Sequence, residues 1–206
     1  MEVVDVLMNH IELFRKATKE KSRYWSWIDC NRAFMLNKNI AEEEQAKILF
    51  MYLASWGMLR NSFLLEYNYR ILIPIVKVLN MQKYSVLKNP EVELIENNVD
   101  LLWELTNGIR KAFREYHPEG PVSDTLTTKI LMGTFGCTVA YDKYVCENLR
   151  AYKIASGSYG KQSILQLCKF YKNHLELEAI RQVIKKEDKI DYPPMKILDM
   201  GCWEDK

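Results

Sequence analysis

Apolar positions recur along this chain every three or four residues, the period of an α-helix that turns one face inward. Val6, Leu7, His10, Ile11 and Phe14 set that rhythm and predict an amphipathic helix over the first sixteen or so residues. A second helix is expected from Ser22 to about Leu36, with Trp27, Cys30 and Phe34 sharing a face. Ala41 to about Arg60 carries a third, central helix: Glu42, Glu43 and Glu44 complement the dipole in its first turn, and Ile48, Leu49, Tyr52, Leu53 and Trp56 form its stripe. Gly57 and Asn61-Ser62 then loosen the pattern, and Pro74 starts or kinks a helix within Ile71 to Leu79.

The second half reads the same way. One helix is expected from Pro90 to Tyr116, then a loop, His117-Pro118-Glu119-Gly120-Pro121, and a helix capped by Ser123 or Asp124. That helix runs to Phe135, breaks at Gly136, resumes at Val139 and ends near Ala155. After the loop Ser156 to Gly160, Gln162 to Lys186 reads as one long helix on Ile164, Leu167, Cys168, Tyr171 and Leu175. A short terminal helix from Met195 to Trp203 docks Ile197, Leu198 and Trp203. With only eight glycines and six prolines, and no repeat or low-complexity tract, the expected fold is all-α, a single domain over residues 1–206 with about eight or nine helices.

Composition adds mainly exclusions. A hydrophobic fraction of 48% and a charged fraction of 27% belong to a folded chain, not a disordered one. Twenty-nine basic against twenty-seven acidic residues leave a net charge of +2, too small to imply nucleic acid or membrane by itself. Cys30, Cys137, Cys146, Cys168 and Cys202 are odd in number and widely spaced, and read as reduced thiols. His10, His117 and His174 lie far apart without a CxxC pair, so neither a metal nor a cofactor is expected. The acidic start, Met1-Glu2-Val3-Val4-Asp5, does not resemble a signal peptide, and no apolar run approaches the roughly 18 residues of a membrane span. A cytoplasmic address with no membrane partner is the expectation.

Charge becomes informative locally. Between Lys143 and Lys172 stand Lys143, Arg150, Lys153, Lys161, Lys169 and Lys172 against one acid, Glu147. Tyr144, Tyr152, Tyr159 and Tyr171 are interleaved, and a Gly/Ser loop leads into a helix N-terminus, a composition suited to a phosphate backbone. The alternative is a solvated helix face that exposes lysines in rows.

The most unusual segment runs from Lys129 to Val145. Gly133 and Gly136, three apart in an apolar stretch, each cost about 1 kcal/mol of helix propensity and imply close approach or a turn. Phe135-Gly136-Cys137-Thr138-Val139-Ala140 looks like the turn of a helix-hairpin-helix motif, which holds a DNA phosphate on backbone N–H groups. Tyr141-Asp142-Lys143-Tyr144-Val145, with Arg150 beyond it, is similar to the aspartate segment of the helix-hairpin-helix DNA glycosylases. That resemblance implies base excision with Asp142 as the functional carboxylate. Gly136, from the hairpin turn, and Lys143, Arg150, Lys153 and Lys161, from the basic stretch, are the residues expected to face nucleic acid. The chain departs from the family in that only five residues separate Gly136 from Asp142, and no lysine stands at the lyase position. The alternative for the segment is a tight helix–helix corner whose glycines permit packing and whose Asp142 caps or salt-bridges. The same segment, together with the ending Asp199-Met200-Gly201-Cys202-Trp203, also resembles a bacterial family of uncharacterised all-helical proteins, which implies a fold and no chemistry.

Weaker patterns complete the set. Arg110 and His117 have the loose spacing of HEPN-type RNases, against a loop histidine ahead of Pro118. Tyr24, Trp25, Trp27, Trp56 and Trp103 suit either base stacking or core anchoring. The expectation is a binding or interaction protein with a basic, nucleic-acid-facing surface; the alternative is a glycosylase-like enzyme using Asp142.

Overall fold

The computed structural model describes residues 2–20, 24–35, 40–60, 62–118 and 120–203; Ser22, Arg23 and Leu36 of the second expected helix, with Asn61 and Glu119, lie outside the described residues. Helix α1 (Val3–Glu20) buries Leu7, Ile11 and Phe14 as its spacing predicts, and α2 (Trp25–Met35) buries Trp27, Cys30 and Phe34 together. Helix α3 (Glu42–Ser55) packs on α2 and places Leu49, Tyr52 and Leu53 inside. It stops five residues short of Arg60. Two 3-10 turns, Phe63–Glu66 and Tyr69–Leu72, each capped by a side chain (Ser62 and Asn68), lead into α4 (Ile73–Leu79), which begins beside Pro74.

Past a further turn, Gln82–Leu87, the expected Pro90 to Tyr116 helix is two: α5 (Val92–Asn97) and α6 (Val99–Phe113), broken at Asn98, whose side-chain amide donates back to the Leu94 carbonyl at 2.8 Å. Helix α7 (Asp124–Thr134) starts at Ser123, whose hydroxyl accepts from the Leu126 N–H. Helix α8 (Lys143–Ala151) starts later than Val139, at an Asp142 cap. The single long helix expected from Gln162 divides at His174 into α9 (Lys161–Asn173) and α10 (Leu175–Glu187). The chain closes with α11 (Pro194–Cys202). The helices thus outnumber the eight or nine expected: among the described residues ten α-helices reach seven residues or more, and there is no strand.

Two short helices organise the core. All nine residues of α11 are buried, as α11 packs on α1, α8, α9 and α10, and Leu126 to Thr134 of α7 are buried continuously. A helix buried all round is ordinarily apolar. These two instead carry Lys129, Lys196 and Asp199, besides three threonines of α7 whose hydroxyls turn back to carbonyls four residues earlier: Thr127 to Ser123, Thr128 to Asp124 and Thr134 to Ile130.

The connection from α7 to α8, Phe135 to Tyr141, is non-helical and buried at every residue. Buried irregular backbone needs partners for its polar groups. Side chains, one loop amide and the last carbonyls of α7 supply them. The Asn89 N–H donates to the Phe135 carbonyl at 2.7 Å, and Asp199 Oδ1 accepts from the Ala140 N–H at 2.9 Å. Thr128 Oγ1 accepts from the Tyr141 N–H and Thr125 Oγ1 donates to the Tyr141 carbonyl, each at 2.9 Å. No described helix is long and apolar enough to cross a membrane.

Candidate functional site

Asp142 caps α8, and its position follows from the buried connection that delivers it there. Oδ1 accepts from the Val145 N–H at 3.1 Å and Oδ2 accepts from Lys129 Nζ at 2.8 Å. Lys129 reaches it from the buried face of α7, its ammonium 5.4 Å from the centroid of the Trp56 ring. Both oxygens of the carboxylate therefore have named partners within the chain.

A second pair stands beside the first. Lys196 and Asp199, three apart on α11, meet at 2.8 Å, and the other oxygen of Asp199 holds the Ala140 N–H. The Lys196 ammonium lies 4.5 Å from the Phe14 ring centroid, and the residue is 2% exposed. Burial holds Lys196 below the usual lysine range; Asp199 opposes that shift and Lys129 adds to it. Tyr52 is pushed well above the usual phenol range by burial and then by the charge of Asp199. Around the pairs, Phe14 and Trp56 lie parallel with centroids 6.4 Å apart, while Tyr24 and Trp203 meet Phe14 edge-on at 5.0 and 5.4 Å.

The space within this box, bounded by Trp56, Lys129, Asp142, Lys196, Asp199 and Trp203, is about 10 Å³. That is room for one water and not for a nucleobase. Two lysines and two aspartates balance in charge, so the box closes as an ion-paired cluster in an aromatic wall. Lys129, Lys196 and Asp199 are absent from the residues that sequence reasoning singled out for chemistry. Their signal was a lysine directly before Ile130-Leu131-Met132, and a Lys–Asp pair at helical spacing in an otherwise apolar helix.

Gly136 corrects the expected phosphate-binding turn. It lies at φ +61°, and its N–H is used in closing α7 on the carbonyls of Leu131 and Met132, at 3.0 and 3.2 Å. It is buried, and a Cβ there would stand 2.4 Å from Pro193 Cγ and 2.7 Å from Asn89 Oδ1. Its amide ends a helix inside the core and does not begin one at the surface. Gly133 has a packing role as well, since a Cβ there would come within 2.3 Å of Tyr52 Cε1.

The basic stretch is divided by its neighbours. Lys161 pairs with Asp100 and Lys172 with Glu96, each at 2.6 Å, so α5 and α6 match two of the three α9 lysines, while the exposed Lys169 enters no ion pair among the described residues. Lys143, Arg150 and Lys153 are exposed and enter no ion pair among the described residues; Arg150 Nη1 donates to the Gly157 carbonyl at 3.2 Å. Arg110 Nη2 binds Asp124 at 2.5 Å and lines a cleft of about 580 Å³ with Arg114 and Pro118. His117 stacks its ring on Phe63 at 4.4 Å and stands beside Gly120, one of the residues lining that cleft.

The aromatic residues separate similarly. Tyr24 and Trp27 are buried, with Trp27 Nε1 donating to the Met132 carbonyl at 2.9 Å, while Trp25 is 41% exposed and Trp103 packs on Tyr159. Glu43 binds the Tyr69 hydroxyl and Glu44 pairs with Lys47 at 3.3 Å. The five cysteines are free thiols; burial pushes Cys30, Cys137 and Cys202 far above the usual range and Cys168 up to about 12, which keeps them from acting as thiolates at neutral pH. Compared with protein-family models, curated proteins and solved structures, the chain matches none of them.

Proposed function

We propose that the chain is a binding or interaction protein that meets nucleic acid, through the phosphate backbone, along Lys143, Arg150 and Lys153. The observation that carries this reading is the unequal pairing of the basic stretch: Lys161 and Lys172 are matched by acids, whereas these three exposed cations are in no ion pair among the described residues. Lys143 and Arg150 stand seven residues apart on α8, hence on one side of it, with Glu147 as the acid between them. Lys153 follows directly after the helix ends, and Tyr144, 41% exposed, adds an aromatic surface. Such a strip reads backbone charge and not base sequence.

Binding of short single- and double-stranded DNA and RNA at two salt concentrations tests it, with wild type beside Lys143→Glu/Lys153→Glu. Affinity that falls with salt, and is at least about tenfold weaker with a shallower salt slope in the variant, is the expected result. Equal binding by both proteins, or none at low salt, would overturn it.

A second reading, a glycosylase-like DNA-processing enzyme using Asp142, is favoured by one observation: an ammonium, Lys129 Nζ, 2.8 Å from the carboxylate within an aromatic wall. Excision requires Trp56 and Trp203 to part widely enough to admit a base. Incubation with duplexes carrying damaged bases, comparing wild type with Asp142→Asn, decides it: product from wild type alone supports the enzyme, and no product from either protein removes it.

A further inference from the structure

A cleft of about 410 Å³ opens between α2 and the segment joining α10 to α11, remote in sequence from the α8 strip. Its volume lies within the roughly 300–1,000 Å³ range of small-ligand sites. On its lining Asn31, 6% exposed, and Asn89 exchange two amide hydrogen bonds, each 2.9 Å. Asn89 is fixed further: its backbone lies at φ +45°, and its N–H holds the Phe135 carbonyl at 2.7 Å. In this reciprocal pair each amide keeps one N–H and acceptor capacity on its oxygen in reserve. The result is a rigid, planar donor–acceptor edge.

The charges lining the cleft do not cancel. Glu91 is held by Arg181 in a two-pronged pair, 2.8 Å on each prong, and Asp191 is taken by Lys185 at 2.6 Å and Arg181 at 3.6 Å. Arg181 also donates to the Tyr192 carbonyl at 2.7 Å, so the buried guanidinium and both acids are mutually satisfied. Arg32 and Lys189 line the same cleft, are exposed, and enter no ion pair among the described residues. Lys189 stands just past the end of α10 at φ +59°, backbone that favours glycine, so a side chain is carried where none would be easier to hold. Met35, Ile190 and Pro193 supply apolar wall.

The geometry points to a binding site for a nucleoside monophosphate, its phosphate on Arg32 and Lys189 and its base edge on the Asn31–Asn89 amides. Arginine and lysine bind phosphate oxygens, and the outer N–H of Asn89 beside the outer lone pair of Asn31 Oδ1 offers a donor and an acceptor side by side, as an adenine edge requires. The two cations select the phosphate ester over the bare nucleoside. The amide pair selects a base over inorganic phosphate.

Isothermal titration with AMP, adenosine and inorganic phosphate tests this on the intact chain. Wild type should bind AMP at least tenfold more tightly than adenosine or phosphate. Arg32→Ala/Lys189→Ala should bring AMP to the level of adenosine while leaving the ligand-free melting temperature within two degrees or so, both residues being exposed and unpaired. Asn89→Gly, which keeps the positive φ, should weaken AMP and adenosine by a common factor. No AMP binding at millimolar concentration, AMP and adenosine binding equally to wild type, or AMP affinity unchanged in the double variant would each overturn the assignment. The Lys143→Glu/Lys153→Glu protein should bind AMP as wild type does, which separates this cleft from the α8 strip.

Discussion

Lys129 Nζ stands 2.8 Å from Asp142 Oδ2, and that contact ties the buried helix α7 to the N-cap of α8 across a connection with no regular structure. The pair is buried on the lysine side and half-buried on the aspartate side. Asp142→Ala removes the cap and strands the ammonium, so the expected loss is about 3–5 kcal/mol. Asp142→Asn keeps an oxygen for the Val145 N–H and should cost less; adding Lys129→Met to it should recover part of the loss. Urea unfolding of the four proteins checks the order, and a loss under about 1 kcal/mol for the alanine variant would contradict it.

Lys196 and Asp199 form a pair of the same kind, with a second obligation. Lys196→Met leaves the Asp199 carboxylate buried with only the Ala140 N–H, and a loss of about 3–5 kcal/mol is expected. Lys196→Met/Asp199→Asn should be more stable than the single variant, because the asparagine oxygen still accepts from Ala140 without carrying charge. Thermal unfolding of the pair of variants gives the comparison, and a double variant weaker than the single one would show that the charge itself is needed.

Gly133 and Gly136 separate two uses of glycine. Gly133→Ala presses a methyl group into the Tyr52 ring and should cost about 1–3 kcal/mol, recovered in part by Tyr52→Leu. Gly136→Ala meets both a left-handed backbone and the Pro193 ring, so Tyr52→Leu should give it no relief. Double-mutant cycles read from denaturation midpoints distinguish the two cases.

The periodicity of apolar residues located most of the helices because the helix faces that pack are amphipathic, as in α1 and α2. It failed at Asn98 and His174, where the chain breaks without glycine or proline and the interruption is made by local hydrogen bonds and ring stacking on Phe170. It also missed the charge box. Lys129, Lys196 and Asp199 drew no role of their own because a charged side chain inside a core is recognised only through its partner, and those partners are thirteen residues off or hidden on the same short helix. Asp142 was legible as a special residue, and its capping or ion-pairing at a helix–helix corner as one of its two readings, while the identity of its lysine was not. The pairing of Lys161 and Lys172 was hidden because Asp100 and Glu96 reach them from α6 and α5, more than sixty residues away.

The acid limb of the stability curve should report on Asp188. Asp188 stands at the C-cap of α10, its backbone N–H donating to the Ile184 carbonyl at 2.8 Å, and its carboxylate binds Arg15 and Lys19 of α1, the latter at 3.0 Å. The Arg15 hydrogen bond is the largest influence and holds the Asp188 carboxyl below its ordinary value of 3.8, with Lys19 adding to it. Between the folded and the ordinary value the unfolded chain binds more protons, so stability rises with pH through that window. Above 3.8 the contribution is fully present; it is lost as pH falls through the lower, folded value. Asp188→Asn should therefore lower stability at pH 7 by about 1–2 kcal/mol and flatten the dependence between pH 2 and 4. Melting temperatures measured every half unit of pH from 2 to 7 supply the test, and parallel curves for the two proteins would show that the Arg15–Asp188 contact contributes nothing specific to joining α1 to α10.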